Sequence, residues 1–325
     1  IPKLHYLEDQ PDAIPYITSY YKKDWGFCLS FNEFKKLNKL SNYIVHIDSS
    51  FNPKGHLNYG ELLIPGKSKD EILFSSYICH PQMVNNELSG PSVLTGIANH
   101  LLNRKNYYSY RFVLIPETIG SITYLSKNLK KLKQFVKGGY NITCVGDERD
   151  WGLVPSRYGN NISDKIAEHV LKHNVEKFTK YSWLDRGSDE RQYCAPGIDL
   201  PISSITRSKF GRYPEYHTSL DDFNVVTKNG LKQSLEVYLK CIKIFEMGKN
   251  IKPKMRVLGE PQLGKRGLYP NTSTKNSGKL VYNMMNFISY CDGKNTILDI
   301  SDLCNIDFFE SIKIYDKIKS NDLCD

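Results

Sequence analysis

The sequence contains no long apolar run. Although 40% of its 325 residues are hydrophobic, no stretch approaches the ~20 residues that a membrane-spanning helix needs. We therefore expect no membrane partner. The chain starts Ile1-Pro2-Lys3, with neither an initiator methionine nor the apolar core of a signal peptide. From this start we expect a fragment or a trimmed form of a longer polypeptide.

Several chemical motifs are also missing. The eight cysteines lie far apart and form no C-x-x-C pair, which argues against a zinc ribbon and favours a reducing, cytoplasmic setting. Nucleotide binding has no motif support, because neither G-x-x-x-x-G-K-[ST] nor a strand-linked G-x-G-x-x-G occurs. No predicted strand runs into G-x-S-x-G, which argues against serine hydrolase chemistry.

The composition is that of an ordinary globular protein, with 24% charged residues. A net charge of +9 permits an anionic partner without requiring one. Many lysines fall in polar stretches such as Lys127–Lys137, where a solvated helix face explains them. Charge alone therefore indicates no partner.

Breakers and composition divide the chain into three segments. Residues 1–66 end at the Pro65-Gly66 turn, include strand-like pieces at Tyr43–Ile47 and Glu61–Ile64, and are interpreted as an N-terminal flanking element. Residues 67–248 form the main domain. Residues 249–325 open with a linker rich in glycine and proline and continue as a small helical module.

The main domain alternates short apolar runs with helical patterns, which predicts an α/β fold with a mainly parallel, mixed sheet covered by helices on both faces. The predicted strands are Ile72–Ile78, Arg111–Ile115, Ile142–Gly146 and Ile202–Ile205. The predicted helices are Pro91–Leu102, Ser121–Leu129, Ile162–His173 and Gly230–Phe245.

The last segment has three short helical patterns, at Leu280–Tyr290, Ile297–Leu303 and Phe308–Ile318. This size fits a winged-helix-like module. Residues 250–325 hold eleven basic and nine acidic side chains, and the last helix opens with Asp307 and Glu310, where phosphates would have to approach. We therefore expect docking against the main domain or a second subunit rather than nucleic-acid binding.

Chemically active side chains follow the predicted strands. His80, Glu117 and Asp147 come just after three of them, and His217 lies in the loop after the fourth. Ligands of an open α/β sheet bind outside the carboxyl ends of its strands, so these four residues are expected to converge. Imidazole and carboxylate are the ligands of a catalytic zinc site, and a further carboxylate could act as general base. Taken alone, each acidic residue is explained by a helix cap and each histidine by a structural role.

The order of these motifs resembles a known family, the zinc aminopeptidases of the bacterial leucyl aminopeptidase and aminopeptidase Y type. It is still more similar to the aminopeptidase-like domain proteins of bacteria, which carry a C-terminal winged helix and often occur beside polysaccharide-biosynthesis genes. The resemblance covers roughly residues 10–320. The motifs that carry it are His80, Asn86–Gly90, Pro116–Ser121, Gly146-Asp147, Gly187–Glu190 and Tyr216–Asp221.

The resemblance implies roles for single residues. His80 and Asp147 would bind one metal ion and His217 a neighbouring one, position 86 would bridge them, and Glu117 would be the base or an acidic ligand. Two departures matter. Asn86 stands where active aminopeptidases have aspartate, and Glu117 is followed by threonine instead of a second glutamate.

These departures predict one zinc ion, with the second site weak or empty. Two zinc ions ~3.5 Å apart normally need a bridging carboxylate to offset their repulsion, and Asn86 offers only a neutral amide oxygen. A free amino end of the substrate would be recognised by Asp185, Asp189 or Glu190, whose loop could equally be a solvated turn or a helix cap.

The sequence thus predicts a zinc-dependent, aminopeptidase-like hydrolase that cleaves an amide with a free amino end in a peptide or small molecule. Two alternatives stay open. The first is a catalytically silent protein that binds a small molecule or peptide, which Asn86 suggests. The second is a DNA-binding regulator that acts through the C-terminal helices.

Overall fold

The computed structural model describes residues 3–19, 22–38, 40–50, 52–80, 82–248, 251–269 and 277–325. The chain forms two compact units. One consists of Ile1–Asp164 and Lys177–Tyr238, and the other of Lys165–Glu176 and Leu239–Asp325.

Strands and helices alternate through most of the described chain. Two short 3-10 helices, Trp183–Asp185 and Gly264–Arg266, and a π-helical turn, Val84–Leu88, accompany them. In chain order the elements are β1 (Leu4–His5), β2 (Phe27–Cys28), α1 (Phe31–Phe34), β3 (Gly60–Ile64), β4 (Glu71–Tyr77), α2 (Ser89–Leu102), β5 (Ser109–Ile115), α3 (Ile119–Phe135), β6 (Val136–Asn141), β7 (Gly152–Val154), α4 (Ile162–Asn174), β8 (Thr179–Lys180), α5 (Glu190–Tyr193), β9 (Ile202–Thr206), α6 (Lys228–Gly248), α7 (Ser277–Ser289), α8 (Ile297–Cys304) and α9 (Phe308–Lys319).

A mixed sheet is the centre of the first unit, with strand order β3-β5-β4-β6-β9-β7-β8. The four strands β5, β4, β6 and β9 run parallel to one another. At the two sides, β3 is antiparallel to β5 and β7 is antiparallel to β9. Helices flank the sheet, and the predicted mainly parallel α/β architecture is confirmed.

The centre of the sheet shows why its strands read as continuous apolar runs. Every residue of β4 is buried, as expected for a strand covered on both faces. Phe74 of β4 is in register with Phe112 of β5, and their rings stack with centroids 5.5 Å apart. Tyr77 and Ile115, the last residues of β4 and β5, are also in register, so the loops that follow the two strands begin side by side.

The strand predicted at Ile142–Gly146 is wrong, because the strand lies earlier, at Val136–Asn141. After β6, Ile142 N still donates to the carbonyl oxygen of Ser75 in β4 (2.8 Å), but the N–H groups of two later residues bond to side chains. Val145 N donates to Ser89 Oγ (3.0 Å), and Gly146 N donates to Asn85 Oδ1 (2.9 Å). The apolar run was read correctly as buried, but it is a buried irregular segment rather than a strand.

The strand predicted at Tyr43–Ile47 is also wrong. This segment has no strand partner in the described part of the chain, and Ile44 is fully exposed. A β-prone run without a neighbour has no ladder hydrogen bonds to make. By contrast, the strand predicted at Glu61–Ile64 is confirmed as β3.

A single π-helical turn, Val84–Leu88, leads directly into α2 and buries Asn85, Asn86 and Glu87. Such turns re-aim side chains within a helix and occur frequently at functional sites. The sequence pattern did not predict this turn, which places three polar side chains in the interior.

The Gly90→Ala variant is expected to lose about 1–3 kcal/mol of unfolding free energy, because overpacking forces buried groups apart. A Cβ at Gly90 would lie 2.4 Å from Ser76 Oγ and 2.5 Å from the carbonyl oxygen of Ile142. Urea denaturation measures the loss. Gly96→Ala in the same helix is the control, since its Cβ would meet only the flexible Leu235 side chain at 3.2 Å, and its stability should change by less than about 1 kcal/mol. Equal losses in both variants would contradict this packing argument.

The second unit contains α7, α8 and α9, at the three helices predicted from the sequence. Isolated β-bridges join Lys254 to Asp292 and Met255 to Cys324. The buried His169 connects to α8 and α9, because its Nδ1 lies 2.6 Å from Asp302 Oδ1 and its Nε2 accepts a hydrogen bond from Phe308 N (2.9 Å).

In the part of the chain that the structure describes, no helix is both long enough and apolar enough to cross a bilayer.

Candidate metal centre

Two histidines meet at the carboxyl edge of the sheet. The rings of His80, which follows β4, and His217 have centroids 5.2 Å apart. The ring of Tyr16 lies 5.1 Å from the first and 5.3 Å from the second. Tyr16 N also donates to the carbonyl oxygen of His217 (2.8 Å), so the N-terminal segment covers the pair.

His80 is oriented by a buried carboxylate. Glu87 Oε2 accepts a hydrogen bond from His80 N (2.8 Å) and lies 3.3 Å from His80 Nδ1. A carboxylate at Nδ1 favours the tautomer with its proton there, which leaves Nε2 as the basic nitrogen. His80 is therefore arranged as a ligand through Nε2.

Cys79 lies close to this pair, and the ligand atoms of Cys79, His80 and Glu87 are all within 4.8 Å of one another. Burial raises the pKa of the Cys79 thiol to about 12. Its sulfur accepts a hydrogen bond from Glu117 N (3.3 Å). Because the thiolate is the form that binds metals, Cys79 fits a packing role that connects the loops after β4 and β5.

His217 carries an unpartnered nitrogen. Its Nε2 is buried without a hydrogen-bond partner among the described residues, and its ring stacks on Tyr216 with centroids 4.0 Å apart. Burial, and then the nearby His80, lower the pKa of His217 to about 4. At neutral pH it is an uncharged imidazole, the form that binds metal ions. A positive φ of 56° at His217 shows that the loop holds it in a costly conformation.

Asn86 provides a second unpartnered atom. Its Oδ1 is buried with no hydrogen-bond partner in the described chain, while its Nδ2 donates to Tyr77 Oη. Asp221 fixes the backbone here, because its carboxylate accepts from Asn85 N (2.6 Å) and Asn86 N (2.9 Å). Buried polar atoms normally find partners, so Asn86 Oδ1 and His217 Nε2 are both candidate ligands of a cation.

Glu117 follows β5 and is held by a strained turn. Burial raises its pKa, and the interaction with His80 opposes this. The next residue, Thr118, has φ 63° and ψ −69°, and Ile119 N donates to the Glu117 carbonyl oxygen (2.7 Å). This is a γ-turn of the rare, strained kind, and it begins at Glu117 itself.

Asp189 holds that turn in place. Its Oδ1 accepts hydrogen bonds from Thr118 N (2.8 Å) and Ser121 Oγ (2.7 Å), and Arg191 donates to Thr118 Oγ1. Burial raises the pKa of Asp189 to about 7. Its Oδ2 is buried without a partner among the described residues, and no part of Asp189 is exposed.

The carboxylates of the other two predicted substrate-binding residues, Glu190 and Asp185, already have partners within the protein. Glu190 Oε1 accepts hydrogen bonds from Gly187 N (2.8 Å) and Ser188 N (3.1 Å), and its Oε2 accepts one from Asn141. Asp185 caps the 3-10 helix Trp183–Asp185 and lies 3.3 Å from Arg212. Their recognition of an amino group remains a prediction.

Asp147 is buried and fully hydrogen-bonded. Its Oδ1 accepts from Arg149 N (2.9 Å) and Ser208 Oγ (2.8 Å), and its Oδ2 accepts from Ser208 N (2.9 Å) and Asn85 Nδ2 (3.0 Å). In this arrangement neither oxygen is free for a cation. The ligand role predicted for Asp147 would require at least one of these bonds to break.

Sequence reasoning missed several residues of this centre. Glu87 stands inside the quoted motif Asn86–Gly90, so its spacing from His80 was the available signal. Tyr16 lies in a segment without any motif and reaches the histidines only through the fold. Asp221 belongs to the Tyr216–Asp221 motif but had no role assigned.

The chain is similar to known protein families and to a curated relative. Residues 11–248 match the model of a family described as a domain of unknown function, DUF4910, and residues 250–325 match a winged helix-turn-helix model. A Clostridium acetobutylicum protein named for polysaccharide biosynthesis and an aminopeptidase-like domain is 42% identical over 311 residues, which cover 94% of this chain and 70% of the relative. The predicted C-terminal winged helix and the resemblance to aminopeptidase-like proteins are confirmed.

Two solved structures are similar. A C. acetobutylicum protein described as a peptidase has a TM-score of 0.88 at 40% identity, with 100% of this chain and 73% of that one covered. An aminopeptidase from Aneurinibacillus sp. strain AM-1 has a TM-score of 0.50 at 16% identity, over 58% of this chain and 47% of the other. The second likeness shows a shared fold alone.

Proposed function

The chain belongs to the DUF4910 family, and we propose that it is a metal-dependent hydrolase. Its substrate would be an amide that carries a free amino end. One observation carries the proposal. Buried, unpartnered His217 Nε2 and Asn86 Oδ1 accompany His80, a neighbour of His217 whose Nδ1 faces a carboxylate. Imidazole nitrogen and amide oxygen are donor types that bind divalent cations, and two imidazoles favour zinc.

The proposed ligands are His80 and His217, with Asn86 as a weak third. When bound, zinc would supply a Lewis acid that polarises the amide carbonyl and makes a water molecule more acidic. Since position 86 is neutral, the second metal site of the aminopeptidases would be weak or empty here. Asp147 instead holds Asn85, and through it the turn that presents Asn86.

Glu117 is the proposed general base. Its raised pKa brings it closer to the operating pH, where a base is most effective. The γ-turn at Thr118, held by Asp189, keeps the carboxyl group at the carboxyl edge of the sheet, and Tyr16 covers the histidines and limits access of bulk water. The free Oδ2 of Asp189 makes it our preferred partner for a substrate ammonium group.

A second candidate function is a catalytically silent protein that binds a peptide or small molecule. The neutral character of the donor set favours it, because a cation held by His80, His217 and Asn86 gains no charge compensation from them. Metal analysis and a substrate panel separate the two.

The test combines zinc content, by mass spectrometry of the purified chain, with hydrolysis of aminoacyl-nitroanilides. The name of the C. acetobutylicum relative places that protein in polysaccharide biosynthesis, so the panel should include aminoacyl amides of amino sugars. About one zinc ion per chain with zinc-dependent hydrolysis supports the proposal. Zinc without turnover on any amide favours the silent binding protein, and a chain that binds no zinc contradicts the metal site.

The setting and the C-terminal unit complete the proposal. We propose a cytoplasmic location, which the lack of a disulfide among the eight cysteines supports.

For the winged helix we propose a protein partner rather than DNA. The carboxylates of Asp307 and Glu310, at the start of α9, face Phe309 N and Asn283, and their negative charge opposes the approach of phosphate.

Glu87→Gln is expected to weaken zinc affinity roughly 10–100-fold, because loss of a residue that orients a ligating histidine has this effect in other zinc sites. The neutral amide gives less support to the basicity of His80 than the carboxylate does. Titration of the metal-free chain with zinc measures the change. Glu236→Gln, an exposed residue of α6, is the control and should bind zinc as the original chain does. Unchanged affinity in Glu87→Gln would remove Glu87 from the metal centre.

A further inference from the structure

Lys209 is a buried cation that the proposed chemistry does not use. It lies three residues after the end of β9, at the carboxyl edge of the sheet, and only 6% of the residue is exposed. Lysines are almost never fully buried unless they are paired. A partner for its ammonium group is therefore expected.

The surroundings of the ammonium group are mainly aromatic. Nζ lies 4.0 Å from the ring centroid of Phe210 and 5.3 Å from that of Tyr181. Its hydrogen bond to the carbonyl oxygen of Phe210 is long, at 3.4 Å. No carboxylate of the described residues lies within ion-pair distance of it, although an ammonium group has three N–H donors.

The nearest acidic groups are already engaged. Asp185 and Glu190 act on Lys209 only at longer range. Asp185 lies against Arg212, and both oxygens of Glu190 accept hydrogen bonds from other groups. Burial lowers the pKa of Lys209, which shows that its surroundings do not compensate the charge.

A further unpartnered group lies on the same side. Thr206 Oγ1 is buried with no hydrogen-bond partner in the described chain. It lies against Gly152 together with the ring of Tyr181, since a Cβ on Gly152 would be 2.8 Å from each. Thr206 and Lys209 thus each lie near the ring of Tyr181.

The aromatic side chains beside Lys209 connect it to the histidine pair. The ring of Phe210 packs in one apolar cluster with Tyr216, and Tyr216 stacks on His217. A Cβ on Gly187 would lie 2.6 Å from the Phe210 ring, so the loop before Asp189 borders the same place. A ligand at the metal centre could thus reach Lys209 with another part of the molecule.

We propose that Lys209 forms an anion subsite that takes a carboxylate or phosphate group of the ligand. An anion placed at Nζ would supply the charge partner that the protein does not provide, and such charge-assisted hydrogen bonds are the strong ones. The anion site rests on the geometry around Lys209, and only its assignment to the substrate rests on the proposed function. It predicts an acidic substrate for this chain.

Calorimetric titration of the metal-free chain with inorganic phosphate and with acetate tests the site, and the two arms separate a phosphate from a carboxylate preference. Lys209→Met should lose roughly 10–100-fold in affinity for the preferred anion, the range expected for hydrogen bonds to a charged group. Lys232→Met, an exposed residue, should bind as the original chain does. Lys209→Met should also unfold at an equal or higher temperature, because it removes an uncompensated buried charge.

The outcomes are distinguishable from those of the proposed function. Anion binding that persists without zinc, and that Lys209→Met abolishes, supports the subsite even if no amide is hydrolysed. Failure of both anions to bind, or equal binding by Lys209→Met, overturns it. A marked drop in unfolding temperature without a change in anion affinity would show that Lys209 only stabilises the fold.

Discussion

Replacing His217 with asparagine is expected to lower zinc affinity by more than roughly 100-fold, which exceeds the cost of losing a group that merely orients a ligand. The variant removes the imidazole whose Nε2 is buried and unpartnered. Asparagine is the suitable replacement because it tolerates the positive φ of 56° that this position requires. Alanine at this position would add backbone strain. A drop in zinc affinity in that variant could then come from a folding defect as well as from the loss of a ligand.

Two measurements make this expectation sharp. Zinc should raise the unfolding temperature of the original chain, since a ligand that binds only the folded state stabilises it, and it should leave that of His217→Asn unchanged. The exposed His46, replaced by asparagine, is the control for the loss of an imidazole. Zinc binding of near-original strength in His217→Asn would show that the two rings meet for packing alone.

The sequence predicted the sheet better than the site because apolar runs report burial directly. β4, β5 and β9 appear where continuous apolar residues predicted them. Two failures have a common cause. Ile142–Gly146 is buried as expected, but Ser89 and Asn85 accept the hydrogen bonds of Val145 N and Gly146 N. Tyr43–Ile47 has β propensity but no neighbouring strand to pair with.

Strand ends predicted that His80 and His217 meet, and the structure brings their rings together. They could not predict which oxygens stay free. Asp147 and Asn86 follow from the same motif reasoning, yet four hydrogen bonds saturate Asp147 while Asn86 Oδ1 has none. Hydrogen bonding in the folded chain decides this difference, because Ser208 and Asn85 reach Asp147 only after the loops pack.

The strained turn at Thr118 is a second feature that the sequence did not predict. The sequence shows only that threonine stands where a second glutamate occurs in active aminopeptidases. In the structure, Thr118 N donates a hydrogen bond to Asp189, and Thr118 Oγ1 accepts one from Arg191. These two bonds hold the turn next to Glu117. Position 118 therefore lacks the glutamate that the resemblance would place there, and in this chain its threonine forms the turn that follows Glu117.

Glu117→Gln should reduce turnover roughly 10²–10⁴-fold, the usual contribution of a general base, while zinc content stays at the original level. The amide keeps the size of the side chain and the backbone bonds of the γ-turn but cannot accept a proton. Glu176→Gln, an exposed change, serves as the control for activity. A loss of zinc together with turnover would make Glu117 a ligand instead of a base.

The pH profile adds a second readout for Glu117. Because burial raises its pKa, the carboxyl group loses its proton at a higher pH than an exposed glutamate. The ratio kcat/KM should therefore fall as the pH drops through this raised pKa, and the acidic limb should disappear in Glu117→Gln. An acidic limb that persists unchanged in the variant would assign it to another group, with Asp189, whose pKa is about 7, as the next to replace by asparagine.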